Sequence, residues 1–171
     1  MTNPTETTAP LARGHININV SNLERSIEFY EKLGFEVFLP AIPYLGLTAG
    51  DVVPVSTSTS TALGVPPSTQ GRACIMQLGD GFPKLDLTEF SRVTPAAPLA
   101  NADHGLVRIC LVSEDLAEEV ARLKAGGVEL LSDPQPGHEQ LGDVAVCRAP
   151  DGTLIELLQV YLDRWGPYLS G

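Results

Sequence analysis

Val20-Ser21-Asn22-Leu23 is followed 93 residues later by a similar stretch, Ser113-Glu114-Asp115-Leu116. Gly34-Phe35-Glu36-Val37 returns at the same interval as Gly127-Val128-Glu129-Leu130. Related stretches that recur at one spacing indicate an internal repeat, and a repeat sets the architecture of the whole chain. Each copy is too small to bury its own apolar face, so we expect the two copies to build one shared core. Side chains at equivalent places in the two copies can then converge on one site.

The composition and charge of the chain narrow its class. Its 171 residues fit one domain, or two small units packed as one, and a hydrophobic fraction of 43% is ordinary for a globular protein. The formal net charge of -10 argues against nucleic acids and anionic membranes as partners, because both require basic surfaces. The sequence has no run of about 18 apolar residues, so no segment is predicted to span a membrane.

Two features predict a cytoplasmic protein. The stretch from Met1 to Arg13 is rich in Thr and Pro and has no apolar run, so it is not expected to be a secretory signal. Cys74, Cys110 and Cys147 are odd in number and far apart, which fits neither a disulfide framework nor a CxxC pair. We therefore expect reduced thiols.

The first copy has the pattern of a strand, a helix and three further strands. Between Gly14 and Val20, polar and apolar residues alternate, which is typical of a half-buried strand with one polar face. Asn22 can cap the first turn of a helix, and the apolar spacing of that helix runs as far as Gly34, which is suited to ending it. The three later strands are predicted at 35–39, 72–78 and 84–90.

The second copy repeats this order, so the predicted fold class is α+β with two βαβββ modules. Its elements are a strand at 106–112, a helix at 113–125, and strands at 128–131, 143–148 and 154–160. The predicted organisation is a flexible tail at 1–12, a first module at 13–92, a linker at 93–102, a second module at 103–162 and a C-terminal tail at 163–171.

The two copies differ between their second and third strands. Leu85-Asp86-Leu87 matches Ile155-Glu156-Leu157 at an offset of 70 instead of 93, so the first copy has about 23 additional residues there. This insertion, at 41–70, contains an unbroken Ser/Thr run at 56–61 and a Pro-Pro pair at 66–67. We predict a mobile loop that serves either as a lid or as a disordered stretch.

These elements carry the motifs of a known superfamily. The motifs are Gly14-His15-Ile16, Asn22-Leu23-Glu24-Arg25-Ser26-Ile27-Glu28-Phe29-Tyr30, Leu33-Gly34-Phe35, Gly126-Gly127-Val128 and Pro150-Asp151-Gly152-Thr153-Leu154-Ile155-Glu156-Leu157. Over residues 13–162 the chain resembles the vicinal oxygen chelate superfamily, which includes glyoxalase I, extradiol dioxygenases, methylmalonyl-CoA epimerase and bleomycin-resistance proteins. The resemblance implies mixed sheets that curl around a central cavity, a divalent metal held by the first and last strands of each module, and a tendency to form homodimers.

The four positions where the superfamily holds its metal are unevenly occupied. The resemblance places His15, Asp86 and Glu156 at three of them. The fourth position, eight residues before Leu116, holds Arg108. A guanidinium offers no lone pair and repels a divalent ion, so we favour no metal cofactor. If a divalent metal does bind, the expected ligands are His15, Asp86, Glu156 and His104.

His104 is a poor substitute for a histidine at position 108. It lies four residues before Arg108, on the same face of a regular strand but about 13 Å away. Metal–ligand bonds of about 2.0–2.2 Å would require an irregular strand. Arg108 is instead expected to pair with Asp86 or Glu156, because an unpaired buried carboxylate is costly. Such an arginine can still meet an anionic or carbonyl oxygen.

Three functions remain open at this point. The first is a metal-independent isomerase, epimerase or lyase acting on an oxygenated small-molecule metabolite, in which His15 or Glu156 moves a proton next to a carbonyl and Arg108 stabilises the oxyanion. The second is a bleomycin-resistance-type protein that binds and sequesters a small molecule. The third is a metal-dependent glyoxalase-type lyase or dioxygenase. The residues predicted to bind substrate are Asn17, Asn19, Asp86 and Phe90.

Overall fold

The computed structural model describes residues 14–91, 94 and 96–166, and the structural statements below concern these residues. The tail predicted at 1–12, positions 92, 93 and 95, and residues 167–171 of the C-terminal tail lie outside them. The first unit contains β1 (His15–Asn19), α1 (Leu23–Lys32), β2 (Glu36–Leu39), β3 (Ala41–Ile42), β4 (Leu47–Thr48), β5 (Val53–Pro54), α2 (Thr57–Leu63), β6 (Gln70–Gln77) and β7 (Lys84–Ser91). The second contains β8 (Arg108–Val112), α3 (Leu116–Ala125), β9 (Glu129–Leu130), β10 (Gln135–Pro136), β11 (Gly142–Arg148) and β12 (Leu154–Val160).

Each unit builds one mixed sheet, and the two sheets have the same plan. The first has the order β1-β7-β6-β2, with β5 also paired to β6, and the second has the order β10-β11-β12-β8, with β9 also paired to β11. The first strand of each unit runs parallel to its last strand, β1 with β7 and β8 with β12, and the other pairs are antiparallel. This arrangement confirms the predicted α+β fold of two βαβββ units.

The helices α1 and α3 begin and end in the same way. Asn22 accepts a hydrogen bond from the backbone N–H of Arg25 at 2.8 Å, and Asp115 accepts one from Glu118 at 2.9 Å. At the other end, Gly34 and Gly127 have φ values of 90° and 79°, which glycine adopts without steric cost. The helix of the second unit, α3, starts at Leu116 and not at 113 as predicted, because the N–H of Ser113 still extends the strand ladder by donating to the carbonyl of Leu158.

The two units share one hydrophobic core, as the repeat predicts. It joins α1, α3 and the inner faces of both sheets, and its most buried members include Leu23, Tyr30, Met76, Leu87, Leu116, Leu123, Cys147 and Ile155. The guanidinium of Arg122 on α3 donates to the carbonyl of Lys32 at the end of α1, at 2.7 Å. Neither the length nor the hydropathy of any helix in the described ranges suits a membrane span.

The insertion at 41–70 is folded, which differs from the loop predicted there. Its strands β3 and β4 form a hairpin, β5 joins the first sheet, and the Ser/Thr run forms α2, whose N-terminus is capped by the hydroxyl of Ser56. The insertion carries its own apolar cluster, made of Ile42, Leu45, Leu47 and Val55 packed with Ala73 of β6. This cluster explains why a segment with a polar Ser/Thr run is folded: the apolar residues that precede that run pack together and against the sheet.

Candidate functional site

His15, Asp86 and Tyr44 form a polar cluster on the first sheet. In the parallel register of β1 and β7, Asn17 lies opposite Asp86, so His15 is one step diagonal to Asp86 on the same face. The Nε2 atom of His15 lies 3.2 Å from Oδ2 of Asp86. The hydroxyl of Tyr44 lies 3.1 Å from that Nε2 and 3.1 Å from that Oδ2. The imidazole ring of His15 and the phenol ring of Tyr44 stack with their centroids 5.8 Å apart.

Asp86 is the most constrained member of this cluster. It is fully buried, at 0% relative exposure, and its Oδ1 has no hydrogen-bond partner in the described part of the chain. Burial raises the pKa of Asp86, and the hydrogen bond from Tyr44 and the charge of His15 oppose that rise. Burying a carboxyl group with one unpaired oxygen costs free energy, and the contacts of its Oδ2 with Tyr44 and His15 offset part of that cost.

Tyr44 remains a neutral hydroxyl donor at physiological pH. Burial raises its pKa to about 12, and the hydrogen bond to Asp86 and the charge of Asp86 act in the same direction. Sequence reasoning did not find Tyr44, because it lies in the insertion, between β3 and β4, where the second copy has no equivalent residue. The only signal was an aromatic residue next to Pro43 in an otherwise unassigned segment.

Arg108 and Glu156 form the corresponding pair on the second sheet. The Nε of Arg108 donates to Oε2 of Glu156, and its Nη1 donates to Oδ1 of Asn101 at 3.1 Å. The Arg108 side chain is 40% exposed and that of Glu156 is 19% exposed. Burial and the neighbouring Glu156 raise the pKa of the Cys110 thiol to about 11, so this cysteine is protonated. The ion pair expected between Arg108 and a carboxylate is therefore present, with Glu156 as the partner and not Asp86.

A cavity of about 980 Å³ is bordered by the first strands of both units, β1 and β8. Asn17, Asn19 and Arg108 are among its polar lining residues, and Phe90 is its aromatic one. Most of the remaining wall is apolar, with contributions from Ile16, Ile18, Val65, Leu99, Leu106 and Ile109. Asn17 is held in place because its Nδ2 donates to Oγ1 of Thr88 at 2.9 Å.

The predicted site residues therefore fall into three groups. The cavity lining includes Arg108, Asn17, Asn19 and Phe90. His15 and Asp86 belong to the polar cluster of the first sheet, and Glu156 is the partner of Arg108; these three are not among the lining residues. For His104, none of the contacts in the described structure links it to either pair. The chemical roles assigned to all these residues remain predictions.

The donor set does not fit the divalent metal that the resemblance implies. Within the described residues, no three His, Cys, Asp or Glu side chains lie close enough together to hold one ion. Glu156 is engaged by the guanidinium of Arg108, which holds the position in the second unit that is equivalent to His15 in the first. Two donors from the first sheet, His15 and Asp86, are fewer than such a site requires.

Comparison with known proteins places this geometry in a family. The family model of the Glyoxalase/Bleomycin resistance protein/Dioxygenase superfamily matches residues 12–157. A glyoxalase family protein from Bacillus cereus superposes with a TM-score of 0.69 at 21% identity, covering 91% of this chain and 97% of that one. The trypanothione-dependent glyoxalase I of Leishmania major superposes with a TM-score of 0.57 at 22% identity, covering 92% of this chain and 94% of that one.

A third structure, glyoxalase I from Zea mays, superposes with a TM-score of 0.58 at 17% identity, covering 85% of this chain but 43% of the maize chain. The chain thus spans less than half of the maize enzyme. A comparison with curated proteins finds no match. Likenesses at these identities show the fold, whereas the family model covers most of the sequence. The chain therefore belongs to the Glyoxalase/Bleomycin resistance protein/Dioxygenase superfamily.

Proposed function

We propose that this protein is a metal-independent isomerase, epimerase or lyase that moves a proton next to a carbonyl group of an oxygenated small molecule. The observation that supports this most directly is the state of Arg108. Its guanidinium takes the fourth ligand position and is oriented by Glu156 and Asn101, while its Nη2 has no partner among the described residues. A held guanidinium with a free N–H group is suited to an oxyanion that forms during reaction.

The cavity beside Arg108 is of a size that suits a metabolite. Ligand pockets are typically about 300–1,000 Å³, mostly apolar, with a few polar groups that orient the ligand. Arg108 and Asp151 are charged residues of the lining, and Asn17 and Asn19 supply amides on β1. Asp151 already accepts a hydrogen bond from the N–H of Ser21 at 3.0 Å, whereas Arg108 keeps an N–H group free for a ligand oxygen. His15 shares the face of β1 that carries Asn17 and Asn19, and it lies about 7 Å from Asn17 along the strand. The substrate would then reach from Arg108 to the His15 end of β1.

The proposed reaction uses His15 as the base and Arg108 as the electrophilic group. His15 removes a proton from the carbon next to the carbonyl, and the electron pair of that C–H bond moves onto the carbonyl oxygen. Arg108 stabilises the negative oxygen through its free N–H. Return of a proton to the opposite face of the same carbon gives an epimer. For an α-hydroxy carbonyl, transfer of the hydroxyl proton to the former carbonyl oxygen and return of the abstracted proton to the former carbonyl carbon give an isomer. When a β-substituent leaves with its bonding electron pair, the carbonyl re-forms next to a new carbon–carbon double bond, which completes a lyase reaction. Glu156 is better suited to holding Arg108 than to moving the proton, because it already accepts from that guanidinium.

A binding protein is the second candidate, and one observation favours it. The walls of the cavity are mainly apolar, and His15, Asp86 and Glu156 lie outside its described lining. A sequestering protein of the bleomycin-resistance type needs a cavity and an anchoring charge but no base. In that case Arg108 would anchor an acidic or carbonyl group of the ligand, and no bond would break.

An exchange experiment distinguishes the two functions. The protein, treated with EDTA, is incubated in D₂O with α-hydroxy aldehydes, α-hydroxy ketones and β-hydroxy thioesters, and loss of the α-proton signal is followed by NMR. We expect catalysed exchange with at least one class, abolished in His15→Gln and strongly reduced in Arg108→Met. His138→Gln is the matched control, because the His138 side chain is 82% exposed and pairs with Glu139, away from the cavity and both polar clusters. Binding without any exchange, seen as thermal protection by the same compounds, would support the sequestering protein instead.

The metal-dependent lyase or dioxygenase remains the third proposal. If exchange or turnover disappears after EDTA treatment and returns with Zn²⁺, Ni²⁺, Mn²⁺ or Fe²⁺, the metal-independent mechanism is wrong. A cytoplasmic location is supported by three free thiols, two of them buried. A homodimer is supported by two strongly exposed apolar residues, Leu106, which lies two residues before β8, and Val112, which ends it. Light scattering of the purified protein measures the oligomeric state.

A further inference from the structure

We propose that Tyr44, supplied by the insertion, is a positioning residue that holds His15 in the tautomer protonated at Nε2 and leaves Nδ1 free to take up a proton. Its part in catalysis rests on the proposed function, whereas the tautomer itself does not. The inference follows from three features of the cluster: how Tyr44 is held, how the hydrogens are distributed, and what the free nitrogen faces.

Buried neighbours in the insertion fix the position of Tyr44, although the Tyr44 side chain itself is exposed. The flanking residues Ile42 and Leu45 are buried in the apolar cluster of the insertion. The β3–β4 hairpin closes this segment, and Gly46 ends its short helical turn with a φ of 70°. The hydroxyl is thereby placed between the imidazole of His15 and the carboxylate of Asp86.

The distribution of hydrogens in the cluster follows from donor and acceptor accounting. Tyr44 is neutral and has one hydrogen to donate. The proposal has Asp86 ionised, with its Oδ2 between the Tyr44 hydroxyl and the His15 imidazole, so that its carboxylate can only accept. Tyr44 therefore donates to Oδ2 of Asp86 at 3.1 Å. The Nε2 of His15 lies 3.1 Å from the Tyr44 oxygen and 3.2 Å from the same Oδ2. Without a hydrogen, Nε2 would direct its lone pair at two oxygens that are both acceptors, so the hydrogen lies on Nε2.

The second ring nitrogen is then the reactive one. Nδ1 of His15 has no partner in the described structure, and the side chain is 39% exposed, so solvent or a substrate can reach it. Tyr44 and Asp86 thus prepare His15 to act as a base from one defined nitrogen.

The test is the tautomer of His15, measured on the full chain labelled with ¹⁵N-histidine. The sequence has only three histidines, so long-range ¹H–¹⁵N correlation spectra at about pH 8, above the ordinary titration range of histidine, are readily assigned. For the wild type we expect one His15 species, protonated at Nε2. Tyr44→Phe should give a mixture of both tautomers, and Asp86→Asn should favour Nδ1–H, because the amide can donate to Nε2.

The control is Tyr161→Phe. It removes a comparable hydrogen bond, which the hydroxyl of Tyr161 donates to Oδ2 of Asp143 at 2.8 Å, away from His15. It should leave the His15 signals unchanged. A wild-type His15 protonated at Nδ1, or a His15 spectrum that neither Tyr44→Phe nor Asp86→Asn alters while the backbone amide spectra remain native, overturns the proposal. Because two different variants address the same nitrogen, poor folding of one leaves the other decisive.

The kinetic counterpart separates this inference from the proposed function. In the exchange assay, Tyr44→Phe should lower kcat about tenfold with little change in KM, a smaller loss than the ~10²–10⁴-fold expected for removing the base itself. If the tautomer is as proposed but no carbonyl compound exchanges, the proposed function fails and the positioning role stands. If exchange occurs and Tyr44→Phe changes neither kcat nor the tautomer, the positioning role fails and the function stands.

Discussion

The ion pair between Arg108 and Glu156 allows a quantitative test of how much each partner contributes to the stability of the second sheet. Removing Arg108 leaves Glu156, 19% exposed, as a largely buried carboxylate without its cation, whereas removing the Glu156 charge leaves a 40% exposed arginine that keeps Asn101. We therefore expect Arg108→Gln to cost about 2 kcal/mol in the free energy of unfolding and Glu156→Gln about 1 kcal/mol. In the double variant, a coupling energy of about 1 kcal/mol should appear.

Urea unfolding followed by tryptophan fluorescence measures all four corners of this cycle, since the chain has one tryptophan. The matched control is the pair of Lys124 and Asp133, whose side chains are 45% and 76% exposed. Its cycle with Lys124→Gln and Asp133→Asn should give a coupling energy below about 0.5 kcal/mol, as is usual for solvent-screened pairs. If Arg108→Gln and Glu156→Gln lower the free energy of unfolding equally, and their effects simply add in the double variant, then the charge of Glu156 does not depend on Arg108 and this reasoning is wrong.

Three further perturbations address the rest of the molecule. Burial raises the pKa of Asp86, so the folded protein binds this proton more tightly than the unfolded chain does. Wild type should therefore lose stability relative to Asp86→Asn as the pH rises above about 4, the ordinary pKa of aspartate, when both are measured by urea unfolding; parallel pH profiles would contradict this. Gly34→Ala and Gly127→Ala should each cost about 1–2 kcal/mol because both positions have positive φ, and a neutral effect at either one would show that the two helix ends are not equivalent. Ile42→Ala should cost about 2–4 kcal/mol because Ile42 is fully buried in the insertion, whereas Leu63→Ala on the exposed side of α2 should stay within about 0.5 kcal/mol; similar values for both would mean that the insertion has no core of its own.

The fold could be predicted from the sequence because its signals are local. Asn22 and Asp115 cap equivalent helices, and Gly34 and Gly127 end them, so the repeat is visible in side-chain chemistry that acts within a few residues. The same spacing aligned Arg108 with the superfamily's fourth metal position, and its ion pair with a carboxylate followed from the cost of burying charge. Each of these inferences needed only an interval along the chain.

The first-sheet cluster could not be predicted in the same way. Tyr44 meets Asp86 across 42 residues and lies in a segment that the second copy lacks, so neither the repeat nor the local pattern points to it. The insertion itself was misjudged because its Ser/Thr run resembles a loop in composition. In the structure the hydroxyl of Ser56 accepts a hydrogen bond from the N–H of Thr59 as a helix cap, and apolar residues such as Ile42, Leu45 and Leu47, which precede that run, form the cluster that orders the segment. Long-range contacts of this kind carry no signature in a single sequence.

The two sheets have diverged toward different tasks from equivalent positions. On the second sheet a permanent cation, Arg108, stands at the position equivalent to His15, and its charge is balanced by Glu156. A guanidinium stabilises an oxyanion through hydrogen bonds in a fixed plane, but it cannot expand its coordination or exchange ligands. On the first sheet, His15 lies against the carboxyl group of Asp86, whose second oxygen has no hydrogen-bond partner among the described residues. Fixed charge on one sheet and a movable proton on the other are the two elements that enolisation requires, and they are the reason we propose proton transfer for this chain.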